Sequence, residues 1–216
     1  MAYNEFTISK VKKQFGIKLI EDSYFITEEI EIIQPADYIN QYLEQTLTIA
    51  TASGSEKARS ELIITPILVE LRRIWNKQIA ILSGEEFNVD PSIGLNGRCD
   101  YIISASPEIY EIESPVIIIV EAKKLDVAAG IGQCIAAMIA AEKFNFDADN
   151  NVPCIYGCVT TGSIWRFLKL FDNTVIINPD YYLPPTDKIL SILNWIVQQQ
   201  QIILPIPNSQ FLTPNS

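Results

Sequence analysis

The pattern of apolar and polar positions predicts a protein in which helices alternate with strands. Its most marked feature is a run of five β-branched apolar residues at 116–120, directly after Pro115. Such a run is typical of a central strand that is buried on both faces of a sheet. It ends abruptly in the sequence Glu-Ala-Lys-Lys at 121–124. The chain therefore places charges at the end of a buried strand, where they are costly unless they are paired or bind a metal.

Further strands are predicted on both sides of this run. Upstream, an apolar stretch at 79–89 with a polar insertion predicts one strand, and residues 97–104 predict the next. Two short strand-like pieces near the N-terminus, at 17–20 and 30–33, indicate an edge hairpin or an N-terminal extension. Downstream, apolar segments separated by turn residues predict three more strands, at 153–160, 163–170 and 174–177.

Helical periodicity accounts for most of the remaining chain. Apolar residues at helical spacing predict five helices, at 8–15, 35–48, 56–76, 127–144 and 187–200. Ser55 and Asp126 are suited to cap the third and the fourth of these helices. Pro66 lies inside the third, where a proline should bend or interrupt a helix. Helices and strands in this order predict an α/β fold.

The length and the composition indicate a single globular domain with a full core. The chain has 216 residues, of which nearly half are apolar. Within this domain we expect an N-terminal extension with a helix at 1–54, a core at 55–180, and a C-terminal helix with an irregular tail at 181–216. No apolar run looks long enough to span a membrane, and the first residues lack the pattern of a signal peptide. The expected location is therefore cytoplasmic.

The cysteines and the absence of histidine restrict the chemistry that the chain can perform. The four cysteines lie in apolar segments, at 99, 134, 154 and 158, and are expected to be buried reduced thiols. The chain contains no histidine, which excludes serine–histidine and cysteine–histidine catalysis and metal sites built on histidine. Any hydrolysis by this chain would have to use carboxylates, lysine and a metal.

Carboxylates on two neighbouring predicted strands are the candidate metal ligands. If the strand at 97–104 pairs with the buried run, Asp100 lies beside Glu121. Successive side chains in a strand alternate, so Glu121 and Lys123 project to the same face. Two carboxylates and a backbone carbonyl, here that of Ala122, are oxygen ligands of the kind that suit Mg²⁺. A lysine nearby can stabilise a phosphate oxyanion or help to orient an attacking water.

This arrangement resembles the PD-(D/E)xK nuclease superfamily, with Asp100 and Glu121-Ala122-Lys123 as the matching residues. The proline that usually precedes the aspartate is replaced by Cys99. The resemblance implies a restriction-endonuclease-like fold, with a mixed central sheet of about five strands flanked by helices. It also implies hydrolysis of phosphodiester bonds in DNA, with Mg²⁺ or Mn²⁺ held by Asp100, Glu121 and Ala122 and with Lys123 acting at the phosphate or the water.

Two further segments are similar to the nuclease domains of type I restriction enzymes. The segment Ser-Glu-Lys-Ala-Arg-Ser-Glu-Leu-Ile-Ile is similar to their first core helix. That helix often supplies a glutamate to the metal site, and both Glu56 and Glu61 are candidates for this glutamate. Alternatively, either glutamate pairs with Arg59 or with a lysine on an exposed helix face. In these nucleases and in RecB-type nucleases a glutamine on the helix after the motif reaches the active site. Gln133 matches it, although the tyrosine usual four residues later is Ala137, and a capping or packing role for Gln133 is the alternative.

The charge balance favours a second hypothesis. Sixteen basic and twenty-six acidic residues leave a net charge of −10, whereas a nucleic-acid-binding protein usually has a basic face. The alternative is a nuclease-like binding or assembly subunit that is inactive alone or needs a partner protein, and a homodimer is also compatible with the sequence. A neutral or positive groove beside Asp100 would favour the enzyme, and a uniformly acidic rim would favour the subunit.

Overall fold

Seven strands form one mixed sheet at the centre of the described part of the chain. The structure is a computed structural model, and it describes residues 2–21, 23–26, 30–150 and 152–201. Across the sheet the strands follow the order β1-β7-β6-β5-β4-β3-β2. The expected mixed α/β architecture is therefore confirmed. The strands are β1 Lys18–Ile20, β2 Ala80–Glu86, β3 Arg98–Ser104, β4 Val116–Ala122, β5 Ile155–Thr160, β6 Ile164–Phe171 and β7 Thr174–Tyr182.

The prediction of about five strands is wrong, because β7 and β1 extend the sheet beyond β6. β4 pairs antiparallel with β3 and parallel with β5. β7 pairs antiparallel with β6, and β1 then pairs parallel with β7. The N-terminal strand thus lies at one edge beside a strand from the far end of the chain, not in the expected local hairpin.

The strand-like piece at 30–33 has no regular secondary structure, and neither do the residues that follow it up to position 36. Side-chain oxygens, not a neighbouring strand, accept hydrogen bonds from its backbone. The Ile33 amide donates to Ser191 Oγ at 2.8 Å, and the Ala36 amide donates to Glu70 Oε1 at 2.8 Å. These polar contacts with two helices replace the ladder of a strand pair.

The helices pack on both faces of the sheet. One face is covered by α2 and α4 together with α6, and the other mainly by α1 and α5, so that each face has its own apolar core. The expected caps are present, since Ser55 Oγ accepts from the Ala58 amide and Asp126 Oδ1 accepts from the Ala128 amide. The helices are α1 Ile8–Phe15, α2 Asp37–Ala52, α3 Glu56–Arg59, α4 Thr65–Ile74, α5 Ile131–Asp147 and α6 Thr186–Gln201.

Pro66 is accommodated by a π-helical segment, Ser60–Ile64, which joins α3 to α4 without a break. A proline has no amide proton, so the carbonyl of Leu62 cannot receive the usual helical bond from position 66. Thr46 Oγ1 on α2 donates to this carbonyl instead, at 2.9 Å. The predicted interruption therefore takes the form of a local change in helical pitch, and π-helical turns of this kind are frequent at functional sites.

The most apolar helix of the described residues lies in the core. The stretch Val127–Asp147 is long and apolar enough, by length and composition alone, to cross a membrane, contrary to the expectation that no such run exists. However, 61% of its most apolar window is buried within the fold. Its alanines pack closely on β4 and β5, and Gly132 lies against the backbone of Phe6 and Thr7, so a Cβ at this position would lie 2.5–2.7 Å from backbone atoms. Packing on the sheet accounts for its apolar character. The four cysteines are free and buried, as expected.

All seven residues of β4 are buried, and a polar side chain from α5 holds the start of this strand. The side-chain amide of Asn145 donates to the Val116 carbonyl at 2.7 Å and accepts from the Val116 amide at 2.7 Å. Both backbone groups lie in the apolar core, where a missing partner is costly. Asn145 therefore connects the far end of α5 to the beginning of the central strand.

Asn145→Ala is expected to lower the free energy of unfolding by roughly 2–4 kcal/mol, because two buried backbone groups lose their partner. Urea denaturation followed by far-ultraviolet circular dichroism measures the loss. Asn150→Ala is the control, since Asn150 donates a single side-chain bond to Ser114 Oγ in a half-buried position. Equal destabilisation by the two substitutions would contradict the role assigned to Asn145.

Candidate functional site

The charged sequence at the carboxyl end of β4 meets the aspartate of β3. In the antiparallel pair Tyr101 lies opposite Val120, so the next pair of residues towards the end of β4 is Asp100 and Glu121. The Ala122 amide donates to Asp100 Oδ2 at 2.7 Å. The convergence of Asp100, Glu121 and Lys123 that the sequence predicts is therefore present in the structure.

Glu121 and Lys123 form an ion pair that is largely shielded from water. The carboxylate of Glu121 accepts from Lys123 Nζ, and the exposed fractions of the two side chains are 3% and 19%. Lys123 Nζ also lies 3.4 Å from Gln133 Oε1 on α5. Gln133 thus lies beside the lysine ammonium, in the rim position that the resemblance implies, and its chemical role stays a prediction.

The titration behaviour of this pair reflects its burial. The pKa of Glu121 is raised to about 8, because burial and, to a lesser extent, the neighbouring Asp100 carboxylate outweigh the opposing effect of the Lys123 ammonium. Burial alone would lower the pKa of Lys123, but the contact with Glu121 more than offsets this and the pKa is raised. Two carboxylates are therefore held close together in a place where water screens their repulsion poorly.

Small residues and strand carbonyls define the position of Lys123. Its backbone amide donates to the Thr160 carbonyl at the end of β5, at 2.8 Å. Its aliphatic stem passes Gly130, where an added Cβ would lie 3.0 Å from Lys123 Cε and 2.6 Å from Val159 Cγ1. Gly130 is needed here for space, because its φ of −90° is accessible to any residue.

Glu56 and Glu61 both line a groove of about 280 Å³ that also contains Asp100. The two glutamates differ in their surroundings. Glu61 is exposed and forms an i,i+4 ion pair with Lys57, with 2.6 Å between Oε1 and Nζ. The charge of Glu56, by contrast, contributes to the raised pKa of Lys123. The alternative of a surface ion pair therefore describes Glu61, and the support of the site by Glu56, which is also exposed, stays a prediction.

Two residues of this region were not singled out by the sequence analysis. The Tyr101 hydroxyl, which lines the same groove, contacts Thr65 Oγ1 at 2.9 Å and donates to the Ser60 carbonyl at 3.1 Å. Arg59 was considered only as an exposed partner for a glutamate, whereas it is 8% exposed and donates to the Thr161 carbonyl at 2.8 Å. Two features of the sequence could have indicated a role for Arg59. One is its spacing from the two glutamates, and the other is that it interrupts an apolar helix face.

The residues at the end of β4 fit a divalent cation of the Mg²⁺ type. Such a cation keeps several waters and needs one or two carboxylates from the protein. Asp100 and Glu121 supply the two carboxylates, the carbonyl of Ala122 is the third predicted ligand, and a cation would relieve the repulsion that raises the pKa of Glu121. In the described ranges no three acidic or cysteine side chains form a metal cage by themselves, so waters would complete the coordination.

Comparisons with protein-family models, with curated proteins and with solved structures gave no match. The function is therefore inferred from the contacts and charges of the site itself.

Asp100→Asn is expected to raise the unfolding temperature by roughly 2–4 °C in the presence of a chelator at pH 9, which corresponds to about 1 kcal/mol in a chain of this length. At this pH the Glu121 carboxyl group is ionised, since pH 9 lies above its pKa of about 8. An asparagine keeps an oxygen for the Ala122 amide and removes one of the two like charges. Thermal unfolding with and without Mn²⁺ measures the effect, and the cation should stabilise only the wild type.

Asp180→Asn is the matched control for this experiment. Asp180 accepts two bonds from Arg166, at 2.7 and 3.0 Å, so its neutralisation removes an attraction and should lower the unfolding temperature. If Asp100→Asn also lowered the unfolding temperature in chelator, Asp100 and Glu121 would not repel each other as described.

Proposed function

We propose that this protein is a metal-dependent nuclease of the PD-(D/E)xK type that hydrolyses phosphodiester bonds in DNA. The observation that carries the proposal is the meeting of Asp100, Glu121 and Lys123 at the carboxyl end of a fully buried strand. Carboxylates that serve only the fold are rarely kept so close together in a shielded place. Perturbed pKa values of this kind concentrate at functional sites.

Each residue has a distinct part in the proposed reaction. A divalent cation held by Asp100, Glu121 and the Ala122 carbonyl would supply Lewis-acid polarisation of the phosphate and would lower the pKa of a bound water. Lys123, fixed between Glu121 and Gln133, can donate to an oxygen of the phosphate as negative charge develops there, or can orient the water that attacks phosphorus. Glu56 acts on the lysine from α3.

The order of elements supports a restriction-endonuclease-like fold. The helical stretch that begins with α3 precedes the antiparallel strands β2, β3 and β4, and α5 then leads to β5, which is parallel to β4. A helix, then a strand, a strand with Asp100 and a strand that ends at Glu121 is also the order of the superfamily's core. A cytoplasmic location, in keeping with four free buried thiols, is part of the same proposal.

The groove beside Asp100 is lined by three acidic residues and one lysine, so its charge is neither neutral nor uniformly acidic. The net charge of −10 is the observation that favours the subunit. The rim beside Asp100 is nevertheless not uniformly acidic, because Lys57 lines the groove and Lys123 lies next to the carboxylates. The end of Lys124 comes close to Gly54, just before α3. Basic side chains therefore accompany the acidic ones where a phosphate would bind.

Lys123→Ala and Asp100→Asn are each expected to reduce cleavage of supercoiled and single-stranded DNA roughly 100-fold or more in the presence of Mg²⁺ or Mn²⁺. The first substitution removes the cation at the phosphate, and the second removes a metal ligand. Gel analysis of plasmid and oligonucleotide substrates measures the rates, with an RNA of the same sequence as a further substrate.

Lys143→Ala is the control for these variants. Lys143 pairs with Asp147 at 2.8 Å, so it has the same kind of lysine–carboxylate contact, about 15 Å along α5 from Gln133. This variant should cut like the wild type. A folded wild type that neither cuts DNA nor binds Mg²⁺ or Mn²⁺ in calorimetry would refute the nuclease proposal and leave the subunit that needs a partner.

Glu56→Gln is expected to reduce the cleavage rate about 10-fold or more, whereas Glu61→Gln should stay near the wild-type rate. Groups that orient or tune catalytic residues typically contribute 10- to 100-fold, and of the two glutamates only Glu56 is among the charges that raise the pKa of Lys123. The two variants serve as each other's control, because both line the groove and both lose one negative charge. A larger loss in Glu61→Gln would assign the supporting role to Glu61.

A further inference from the structure

Arg59 is a buried cation without an acidic partner in the described part of the chain. Its side chain is 8% exposed, and no carboxylate of the described residues lies within salt-bridge distance of its guanidinium. Buried charges in proteins are normally paired, because an isolated charge loses its hydration without compensation. Arg59 is therefore an exception that calls for a physical reason.

Only part of the guanidinium of Arg59 is engaged. Nη1 donates to the Thr161 carbonyl at 2.8 Å. Nε is enclosed and has no hydrogen-bond partner, and Nη2 likewise donates to no described residue. Nη2, which is not enclosed, is thus the donor that can reach a ligand, and guanidinium N–H groups bind the oxygens of a carboxylate or a phosphate well.

The position of Arg59 relates it to Lys123. The backbone amide of Lys123 donates a hydrogen bond to the Thr160 carbonyl, and the side chain of Arg59 donates one to the carbonyl of the next residue, Thr161. Lys123 reaches this end of the sheet on the face covered by α5, where it contacts Gln133. Arg59 reaches it from α3 on the opposite face. A polyanionic chain that crosses the end of the sheet would meet both cations in turn.

We propose that Arg59 is a phosphate-binding residue, which contacts a backbone phosphate of the nucleic-acid strand next to the phosphate at Lys123. This inference rests on the proposed nuclease function. The phosphate is the missing anion of Arg59, and a non-bridging oxygen accepts from Nη2, which unlike Nε is not enclosed. The Thr161 carbonyl holds the guanidinium in place before the substrate binds, so little side-chain freedom is lost on binding.

Arg59→Gln tests this proposal against a purely structural role, with Arg72→Gln as the matched control. Arg72 also donates from its guanidinium to a backbone carbonyl, that of Ile79, at 3.1 Å. It lies about 20 Å from Arg59 along the same helical stretch. Both substitutions remove one positive charge and one hydrogen bond to a carbonyl. Arg59 is buried and Arg72 is half-buried, so their losses of packing differ and the comparison is made on ligand binding, not on stability.

The first arm measures binding of a labelled duplex oligonucleotide to the inactive Asp100→Asn protein, without divalent cations, as a function of NaCl concentration. Each phosphate contact contributes about 0.9 to the slope of log K against log salt. Arg59→Gln should reduce this slope by about 0.9, and Arg72→Gln should leave it unchanged. Equal slopes in the two variants would overturn the proposal.

The second arm uses inorganic phosphate and does not depend on nuclease activity. Replacement of chloride by phosphate at constant ionic strength should raise the unfolding temperature more in Arg72→Gln than in Arg59→Gln, because general stabilisation by phosphate is common to both. A difference of this kind in a protein that neither cuts nor binds DNA would keep the phosphate site and refute the nuclease. Cleavage by the wild type, together with identical behaviour of the two variants, would keep the nuclease and refute the role of Arg59.

Discussion

The site depends on one constraint, which is that the central strand is buried on both faces up to its charged end. No residue of β4 has free access to water, so Glu121 cannot be solvated and takes its partners from the protein. Lys123 supplies one positive charge, and the Ala122 amide holds Asp100 alongside. The same burial that forces these contacts also keeps the repulsion between the two carboxylates strong, and this makes the place suitable for a divalent cation. The repulsion between the two carboxylates therefore destabilises the metal-free protein and at the same time favours the binding of a metal.

The sequence was informative where local physical chemistry decides the structure. The run at 116–120 predicted the central strand, and Ser55 and Asp126 were predicted as caps because a side-chain oxygen next to a helix start has few other uses. The pairing of β1 with β7 joins segments separated by more than 150 residues, and three residues of β1 carry too little pattern to predict it. The choice between Glu56 and Glu61 was open because the π-helical segment begins between them and alters the spacing that an ideal helix would impose. The turn after β5 was predicted, but its contact with Arg59 joins residues 102 positions apart, which no local pattern describes.

An acidic protein can still present cations to a polyanion if it places them selectively. The net charge of −10 describes the field at a distance, where it slows the approach of nucleic acid. At contact distance the relevant charges are those at the end of the sheet, where Lys123 is held by Glu121 and Arg59 by a carbonyl. Their geometry is set before a ligand arrives. Such an arrangement favours discrimination between ligands over raw affinity, because a ligand must supply anions at both positions to offset the acidic surroundings.

β4 lacks the usual alternation of apolar and polar residues, and this affects how the strand is aligned with its neighbours. In most strands a slip of one residue carries apolar side chains into water, and this penalty sets the register. Here residues 116–120 are all apolar and both faces are buried, so the apolar pattern alone would tolerate a slip. The polar contacts at the two ends, Asn145 on Val116 and Asp100 on the Ala122 amide, remove that freedom. A shift by one residue would turn Glu121 to the opposite face of the sheet. These two contacts therefore fix the register of β4, and with it the face of the sheet on which the carboxylate of Glu121 lies.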